Sequence, residues 1–500
     1  MEPLFTKAVD RWDVFEWSCH GPTENNPFTE QWLKAEFSCA QETLCADGFY
    51  DGDGVYRVRF MPSREGTYRF RITASFPLEN AEGTFTVGAP QAGQHGPVRV
   101  ADTWRLVYED GTPYLCLGTT CYVWALQSDE LVAETLQTLS QSAFTKIRFC
   151  IFPKHYAYNL HEPYSYPFIG TPMDSSVLTD QNFGDYNELS SGNEWDFTRF
   201  NPAHFQRLER CIQALGRLGI EADLILFHPY DRWGFSCMPQ EADLRYLRYV
   251  IARFSAYHNV WWSLANEYDL MNHKTLADWE KIAQVLCEND PYRHLRSIHN
   301  CFHFYDYNRP WITHCSIQRN DLYKSAELTN QWRERYRKPV VLDEIAYEGN
   351  IQYGWGNLTG EEMTRRFWEG ALRGGYPGHG ETFLDPSGIL WWSHGGTLHG
   401  DSPARIRFLT GVLRQVPEGL QPNPEASWDE VGAVSLSGAQ YLYYYSFMRP
   451  GFRDFHMEGR YAVTVYDTWN MTEEDRGVYT DSFRIQLPGR PYMAIRLQRQ

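Results

Sequence analysis

The sequence predicts an α/β fold: a (β/α)8 barrel over residues 98–422, flanked by an N-terminal β-sandwich (1–97) and a small C-terminal antiparallel β domain (423–500). Three observations predict it. Short apolar runs alternate with amphipathic helical stretches through the middle of the chain, which is the grammar of a parallel sheet. Both flanks read as strands only. No Gly-rich turn follows the first apolar strand, as an open doubly wound sheet built to bind a dinucleotide would want.

The elements follow in order. In the first segment Val55–Phe60 and Thr67–Thr73 alternate with period two around the turn Pro62–Gly66. The Gly- and Pro-rich stretch 88–97 marks a boundary. Leu115–Val123 then reads as barrel strand one running into a loop, and Ser128 as the cap of the first helix. Lys146–Phe152 is strand two. Asn201, Pro202 and the stripe Phe205, Leu208, Ile212 and Leu215 spell a helix that Gly219 closes. Ala222–Phe227 is strand three, Val260–Ala265 strand four, Arg296–His299 strand five, Ile312–Ile317 strand six and Pro339–Asp343 strand seven. Helices are expected around 240–255, 274–288 and 325–336, and from the capping box Thr359–Glu362. Ile389–Trp392 is expected as strand eight, with Ser402 and Pro403 capping the last helix. Beyond Gln421–Pro424, strands return at Tyr441–Ser446, Tyr461–Tyr466 and Tyr492–Leu497.

Composition excludes several roles. The net charge is −17, which repels phosphate backbones and anionic membrane surfaces, so nucleic-acid and membrane partners are not expected. No apolar run is long enough to span a bilayer. The first residues lack a basic segment followed by an apolar one, and the 11 Cys are scattered without a C-x-x-C pair. Reduced thiols in a cytoplasmic protein are expected. Aromatics are in surplus at 16%, with 18 Trp, 32 Tyr and 29 Phe, more than a core needs; flat or ring-shaped neutral ligands fit that surplus.

In a (β/α)8 barrel the reactive side chains sit where strands end on the C-terminal rim. Strand four ends in Asn266-Glu267 and strand seven in Asp343-Glu344. Two carboxylic acids facing one another across a narrow barrel mouth are what glycoside hydrolysis requires, one ionised and one protonated. Asn-Glu also occurs at 187–188 and 193–194, so position after an apolar strand, repeated three units later, carries the signal. A Glu there could instead pair with an Arg or cap a helix.

Four segments carry a wider resemblance: Trp195–Phe205, Trp261–Tyr268, Lys338–Glu344 and Gly378–Glu381. In these the chain resembles the clan A retaining glycoside hydrolases, and within them the apiosidase-like and cellulase-like bacterial group with a β-sandwich in front and a β domain behind. The resemblance implies Glu267 as acid/base, Glu344 as nucleophile, no metal or other cofactor, and a carbohydrate substrate. It further implies a β-type bond in plant-derived oligosaccharides or glycosides. Arg148, at the end of strand two, is the cation expected beside Glu344, and Asn266 the donor to the sugar 2-hydroxyl.

Other rim candidates for substrate contact are His228, His299, Gln318, Trp392 and His379. The long aromatic connection Lys154–Asn201 and the segment Tyr347–Gly356 are expected to wall the cleft, which favours exo-action. Three alternatives compete. One is a non-catalytic carbohydrate-binding protein on a barrel scaffold. Another is a metal-dependent hydrolase using His228, His299 and His314, which lacks a compact ligand motif. The last is a serine hydrolase, for which no G-x-S-x-G elbow is present.

Overall fold

The computed structural model describes residues 4–40, 42–384 and 388–500. Eight parallel strands form the central sheet, in spatial order Arg296–Ser297, Val260–Ala265, Glu221–Phe227, Lys146–Cys150, Gly118–Thr120, Tyr376–His379, Val340–Glu344 and Cys315–Gln318. Strands five and six, at the two ends of that order, meet through a parallel bridge between His299 and Ser316, so the sheet nearly closes into a barrel. Strands three and four are buried along their whole length because helices cover one face and the barrel interior the other.

The helices form where the sequence predicts them. Ser128 accepts from the Leu131 amide at the start of Asp129–Ser140. Thr275 and Asp278 complete a reciprocal capping box on Leu276–Asn289, and Thr359 caps Gly360–Leu372. The long helix Pro202–Arg217 buries Phe205, Leu208, Ile212 and Leu215, and its first turn carries Pro202 where no amide bond is lost.

Strand eight lies elsewhere than expected. It is Tyr376–His379, hydrogen-bonded between strands one and seven, whereas the apolar Ile389–Trp392 run ends in a single helical turn, Trp391–His394. The reason is steric. A Cβ on Gly378 would lie 2.9 Å from the Asp343 carbonyl oxygen and 3.0 Å from that of Leu342, so this strand needs a residue without a side chain at closest approach. Strand eight therefore carries no apolar run. The Trp391–His394 turn is apolar because it is buried over the barrel mouth.

The N-terminal segment forms two sheets face to face. One has the order Leu4–Phe5, Phe15–His20, Val55–Phe60, Phe49–Tyr50; the other Ala8–Asp10, Glu82–Gly88, Gly66–Ala74, Leu33–Ser38, Thr43–Asp47. The turn at 62–66 crosses from one sheet to the other, so its flanking strands face each other rather than pair. Phe15 stacks on Phe85 at 4.0 Å and Phe37 on Phe60 at 4.2 Å between the layers. At the other end of the chain, six strands from Leu420 to Arg499 form an antiparallel sheet. It packs on the barrel helix Gly360–Leu372, with the Tyr444 ring stacked on Trp368 at 5.3 Å.

Candidate active site

Alternation along strand two sends Lys146 and Arg148 into the barrel. Lys146 Nζ reaches Asp223 Oδ2 at 2.6 Å and Asp343 Oδ1 at 2.7 Å, and Ser316 Oγ donates to Asp343 at 2.5 Å. This fully buried ion cluster floors the site. Burial disfavours the Asp343 anion, but Lys146 and Arg148 outweigh it and hold that carboxyl well below its ordinary range.

Glu344 stands one residue further along the same strand and would point away by simple alternation. A bulge corrects this. Strands six and seven pair Ser316 with Val341 and then Gln318 with Glu344, so strand seven holds one extra residue, which aims Glu344 inward as well. There the Tyr122 hydroxyl donates to Glu344 Oε1, Arg148 Nη1 lies 3.4 Å from the same oxygen and His299 Nδ1 lies 3.9 Å away. Arg148 Nη1 also donates to Asn266 Oδ1 at 2.7 Å.

Glu267 sits just past strand four with φ +50° and ψ +56°, the left-handed region. Its neighbours impose that conformation: the Asn266 amide donates to the Phe227 carbonyl of strand three and the Tyr268 amide to the His299 carbonyl beyond strand five. An L residue there costs about 1 kcal/mol, a strain typical of functional sites. Gln318 Nε2 donates to Glu267 Oε1 at 2.5 Å, and the Tyr230 hydroxyl donates to Oε2.

The two acids are close enough to feel each other. Burial, and then the charge on Glu267, push Glu344 up to about 7, while Arg148, the Tyr122 hydroxyl and Lys154 pull the other way. The sequence predicts an ionised Glu344, yet its carboxyl is pushed up, because desolvation outweighs a cation 3.4 Å away that also serves Asn266.

Six of the nine predicted residues thus meet around one cavity: Glu267, Glu344, Arg148, Asn266, His299 and Gln318. Trp392 joins them from the helical turn rather than from a strand. Its ring packs on Tyr122 at 5.6 Å and Trp355 at 5.3 Å. The structure does not bring the other two to the carboxylates. His228 Nε2 faces the Phe152 carbonyl at 3.5 Å, and burial pushes its ring down to about 3. His379 shares its register with Thr119 and Ile147 on the face opposite Arg148, where it touches Thr119 Oγ1 at 3.2 Å and stacks on Phe144 at 4.8 Å.

Several residues of the site escape the sequence reading. Tyr122 lies two residues past strand one and Tyr230 three past strand three, so the rim rule that found the acids would also have found them. Lys154 is the least expected. Its ammonium is buried 3.5 Å from the Tyr122 ring centroid and 4.0 Å from that of Tyr230, with Trp392 at 4.8 Å. Burial pushes it down to about 8. One cation therefore sits between the two phenol rings whose hydroxyls hold the two glutamates. The predicted walls do meet: Tyr156 packs near Trp355 at 6.4 Å and Tyr158 near Tyr353 at 6.4 Å.

Among the described residues, the clusters with metal-ligand spacing are Glu188–Cys237–His273 and Glu348–His379–Glu381, and neither includes His228, His299 or His314. Glu348 and Glu381, paired across two short strands, instead receive the backbone of 399–402: His399 N and Gly400 N donate to Glu381, and Asp401 N, Ser402 N and Ser402 Oγ to Glu348. The last helix is thus opened by a glutamate from a distant loop, and Ser402 is its first residue rather than its cap.

Residues 101–447 match the family model described as the apiosidase-like catalytic domain. Residues 8–75 and 428–498 match two domains of unknown function, DUF5060 and DUF5605. A crystal structure of a candidate glycoside hydrolase from Bacteroides vulgatus ATCC 8482 is similar at 37% identity and TM-score 0.90, covering 99% of this chain and 100% of that one. A glycoside hydrolase family 5 structure from the same organism is similar at 16% identity and TM-score 0.61, covering 81% of this chain and 93% of that one, a likeness of fold. No curated protein matches the chain.

Proposed function

The chain belongs to the apiosidase-like catalytic-domain family and is a glycosidase, and from that premise we propose that it hydrolyses glycosides with retention, using Glu344 as nucleophile and Glu267 as acid/base. The observation that carries this reading is the pair of rim carboxylates on strands four and seven, coupled to each other and each held by a phenol hydroxyl. Glu344 attacks the anomeric carbon as the glycosidic C–O bond breaks, and Glu267 gives its proton to the departing oxygen. Water, deprotonated by Glu267, then attacks the glycosyl ester and frees the sugar with its original anomeric configuration.

In the substrate-free site the electrostatics run against that division of labour, and the substrate must reverse them. Burial, and then the charge on Glu267, push Glu344 up to about 7, so near neutrality it carries a proton part of the time. Chemistry needs that proton on Glu267. A substrate seated between the acids favours this transfer, since the electron-poor anomeric carbon stabilises the Glu344 anion and the glycosidic oxygen accepts from the Glu267 carboxyl. Arg148 and Lys154 stabilise the same anion. Asn266 Nδ2 is buried without a hydrogen-bond partner, a free donor suited to the sugar 2-hydroxyl. The aromatic wall of Trp392 and Trp355, packed on Tyr122 and Tyr347 on the Glu344 side, supports chain-end action. A β-type bond in plant-derived oligosaccharides or glycosides remains the substrate class we propose.

A panel of aryl glycosides (gluco, xylo, manno, galacto, arabinofuranoside and apioside) identifies the glycone. On the responsive one, Glu267→Gln and Glu344→Gln each lower turnover by roughly a thousandfold or more, and azide restores Glu344→Gly with an inverted glycosyl azide product. Unchanged turnover in both variants sinks the assignment.

A further inference from the structure

Beside Glu267 a groove of about 750 Å³ opens outward, lined by Cys301–Phe304, Gln318–Tyr323 and, beneath, Trp332. That size falls in the range of roughly 300–1,000 Å³ that small-molecule sites occupy. It begins at the reacting centre, because Gln318, one of its walls, donates to Glu267 at 2.5 Å. It ends at two large exposed rings, Phe302 at 64% and Tyr323 at 84%.

The backbone that carries those exposed rings is held. The amides of Cys301, Phe302 and His303 all donate to the Asp269 carboxylate, at 2.6, 2.7 and 2.8 Å, which fixes the loop that carries Phe302. The amides of Tyr323 and Lys324 donate to Asp321 Oδ1 at 2.9 and 3.0 Å, and Arg319 pairs with Asp321 at 3.1 Å, which fixes the other loop. Asn320 Nδ2 then ties the two loops together through the Cys301 carbonyl at 3.1 Å. Seven contacts thus fix the backbone of two loops whose aromatic side chains face water, and neither ring enters the core.

We propose that this groove is the leaving-group subsite and takes at least one further sugar ring of an oligosaccharide, stacked against Phe302 and Tyr323. The proposal rests on the reading of Glu267 as the acid: the departing oxygen lies at that carboxyl, so whatever the bond releases must extend along the side where Glu267, Gln318 and Cys301 stand. Sugar rings offer apolar C–H faces that pack on aromatic faces, and a fixed backbone beneath the rings lessens the ordering that stacking costs. The opposite side of the cavity is walled by Trp392 and Trp355, which pack on Tyr122 and Tyr347 beside Glu344. The substrate is therefore an oligosaccharide whose end unit enters the closed side while the remainder lies in the groove.

The test compares two substrates with the same end sugar: a β-linked trisaccharide, whose released part fills the groove, and the β-glycosyl fluoride, whose leaving fluoride cannot. Phe302→Ala and Tyr323→Ala, both at exposed positions, should each lower kcat/KM on the trisaccharide by on the order of tenfold and leave the fluoride unchanged. Tyr323→Phe, which keeps the ring, should match the wild type. Equal losses on both substrates, or no loss on the trisaccharide, overturn the groove while leaving the catalytic pair intact. A wild-type protein that turns over neither substrate overturns the catalytic reading and the groove with it.

Discussion

Glu344 concentrates the cost of the site in one side chain. It is desolvated, it faces a second carboxylate, and its nearest cation is shared with Asn266. Linkage gives that cost a sign. Its pKa in the folded chain is raised to about 7 from an ordinary 4.5, so between those two values the native state binds more protons than the unfolded one. Stability from this group is fully present below about pH 4.5 and is lost as pH rises through 7. Glu344→Gln keeps the shape and removes the charge. It should therefore be more stable than the wild type at pH 8, by up to about 3 kcal/mol, with the difference vanishing near pH 4.5. Thermal midpoints of both proteins across pH 4–8 check this; a constant offset, or a variant less stable at pH 8, would show that the carboxylate is fully compensated by Arg148, Tyr122 and Lys154. Lys154 answers to the same logic. Its burial among rings is costly in isolation, and it is tolerable because the phenols around it lend their faces to the charge and their hydroxyls to the acids.

At the scale of elements, the site depends on how closely strand eight and its loop approach strand seven. A Cβ on Gly380 would lie 1.9 Å from Cδ1 of Tyr347, a ring whose pKa burial and then the Glu344 charge raise and which packs on Trp355 at 5.9 Å. Gly380→Ala must displace that ring. It should cost roughly 1–3 kcal/mol of stability and lower kcat at least tenfold, through the shifted wall rather than through lost chemistry. Circular dichroism with turnover on an activated aryl glycoside separates the two effects. A variant that is folded and fully active would mean that Tyr347 does not help hold the site. The same closeness explains what could be read from the chain. Strands three, four and seven are buried on both faces, so they appear as apolar runs, and the acids that end strands four and seven stand out. Strand eight carries Pro and Gly where backbones crowd, and its pattern is silent, whereas the apolar Trp391-Trp392 pair belongs to a buried helical turn. Trp392 was legible as an aromatic near the rim although its element was not. Lys154 was not legible, because a lysine at the head of a long loop reads as solvated until the rings of three other segments, Tyr122, Tyr230 and Trp392, close around it. The bulge that turns Glu344 inward leaves no mark in the sequence either.

At the scale of the molecule, the N-terminal sandwich is joined to the barrel by buried charge. Arg59 of the sandwich reaches Glu209 on a barrel helix at 2.6 Å; Arg253 of the next helix reaches the same glutamate at 2.8 Å and Asp51 of the sandwich at 2.7 Å. Glu209, Arg59 and Arg253 are exposed by at most 8%. Asp51 and Glu209 balance Arg59 and Arg253, and further hydrogen bonds cross the seam, from the Met61 amide to the Tyr292 hydroxyl and from the Tyr249 hydroxyl to the Tyr50 carbonyl. Such a cluster is weak evidence of net stability, because an apolar seam of the same shape could do as well, but it makes the two parts interdependent. Removing Glu209 leaves two buried guanidinium groups short of an anion, with Arg59 keeping only Glu16 at 2.8 Å and Arg253 only Asp51 at 2.7 Å. Glu209→Gln should therefore cost up to about 3–5 kcal/mol, and Arg59→Met in the same background should recover part of it by removing one of the under-compensated charges. Lys34→Met, which breaks a pair exposed by 63% and 44%, should cost no more than about 1 kcal/mol. Thermal midpoints of the four proteins test the argument as a set. If Glu209→Gln is no worse than Lys34→Met, water reaches the seam and the sandwich is a loosely attached module. If it is far worse and Arg59→Met restores stability, the barrel and the sandwich unfold as one unit, and a barrel cut free at the 88–97 boundary should lose its fold before it loses its chemistry.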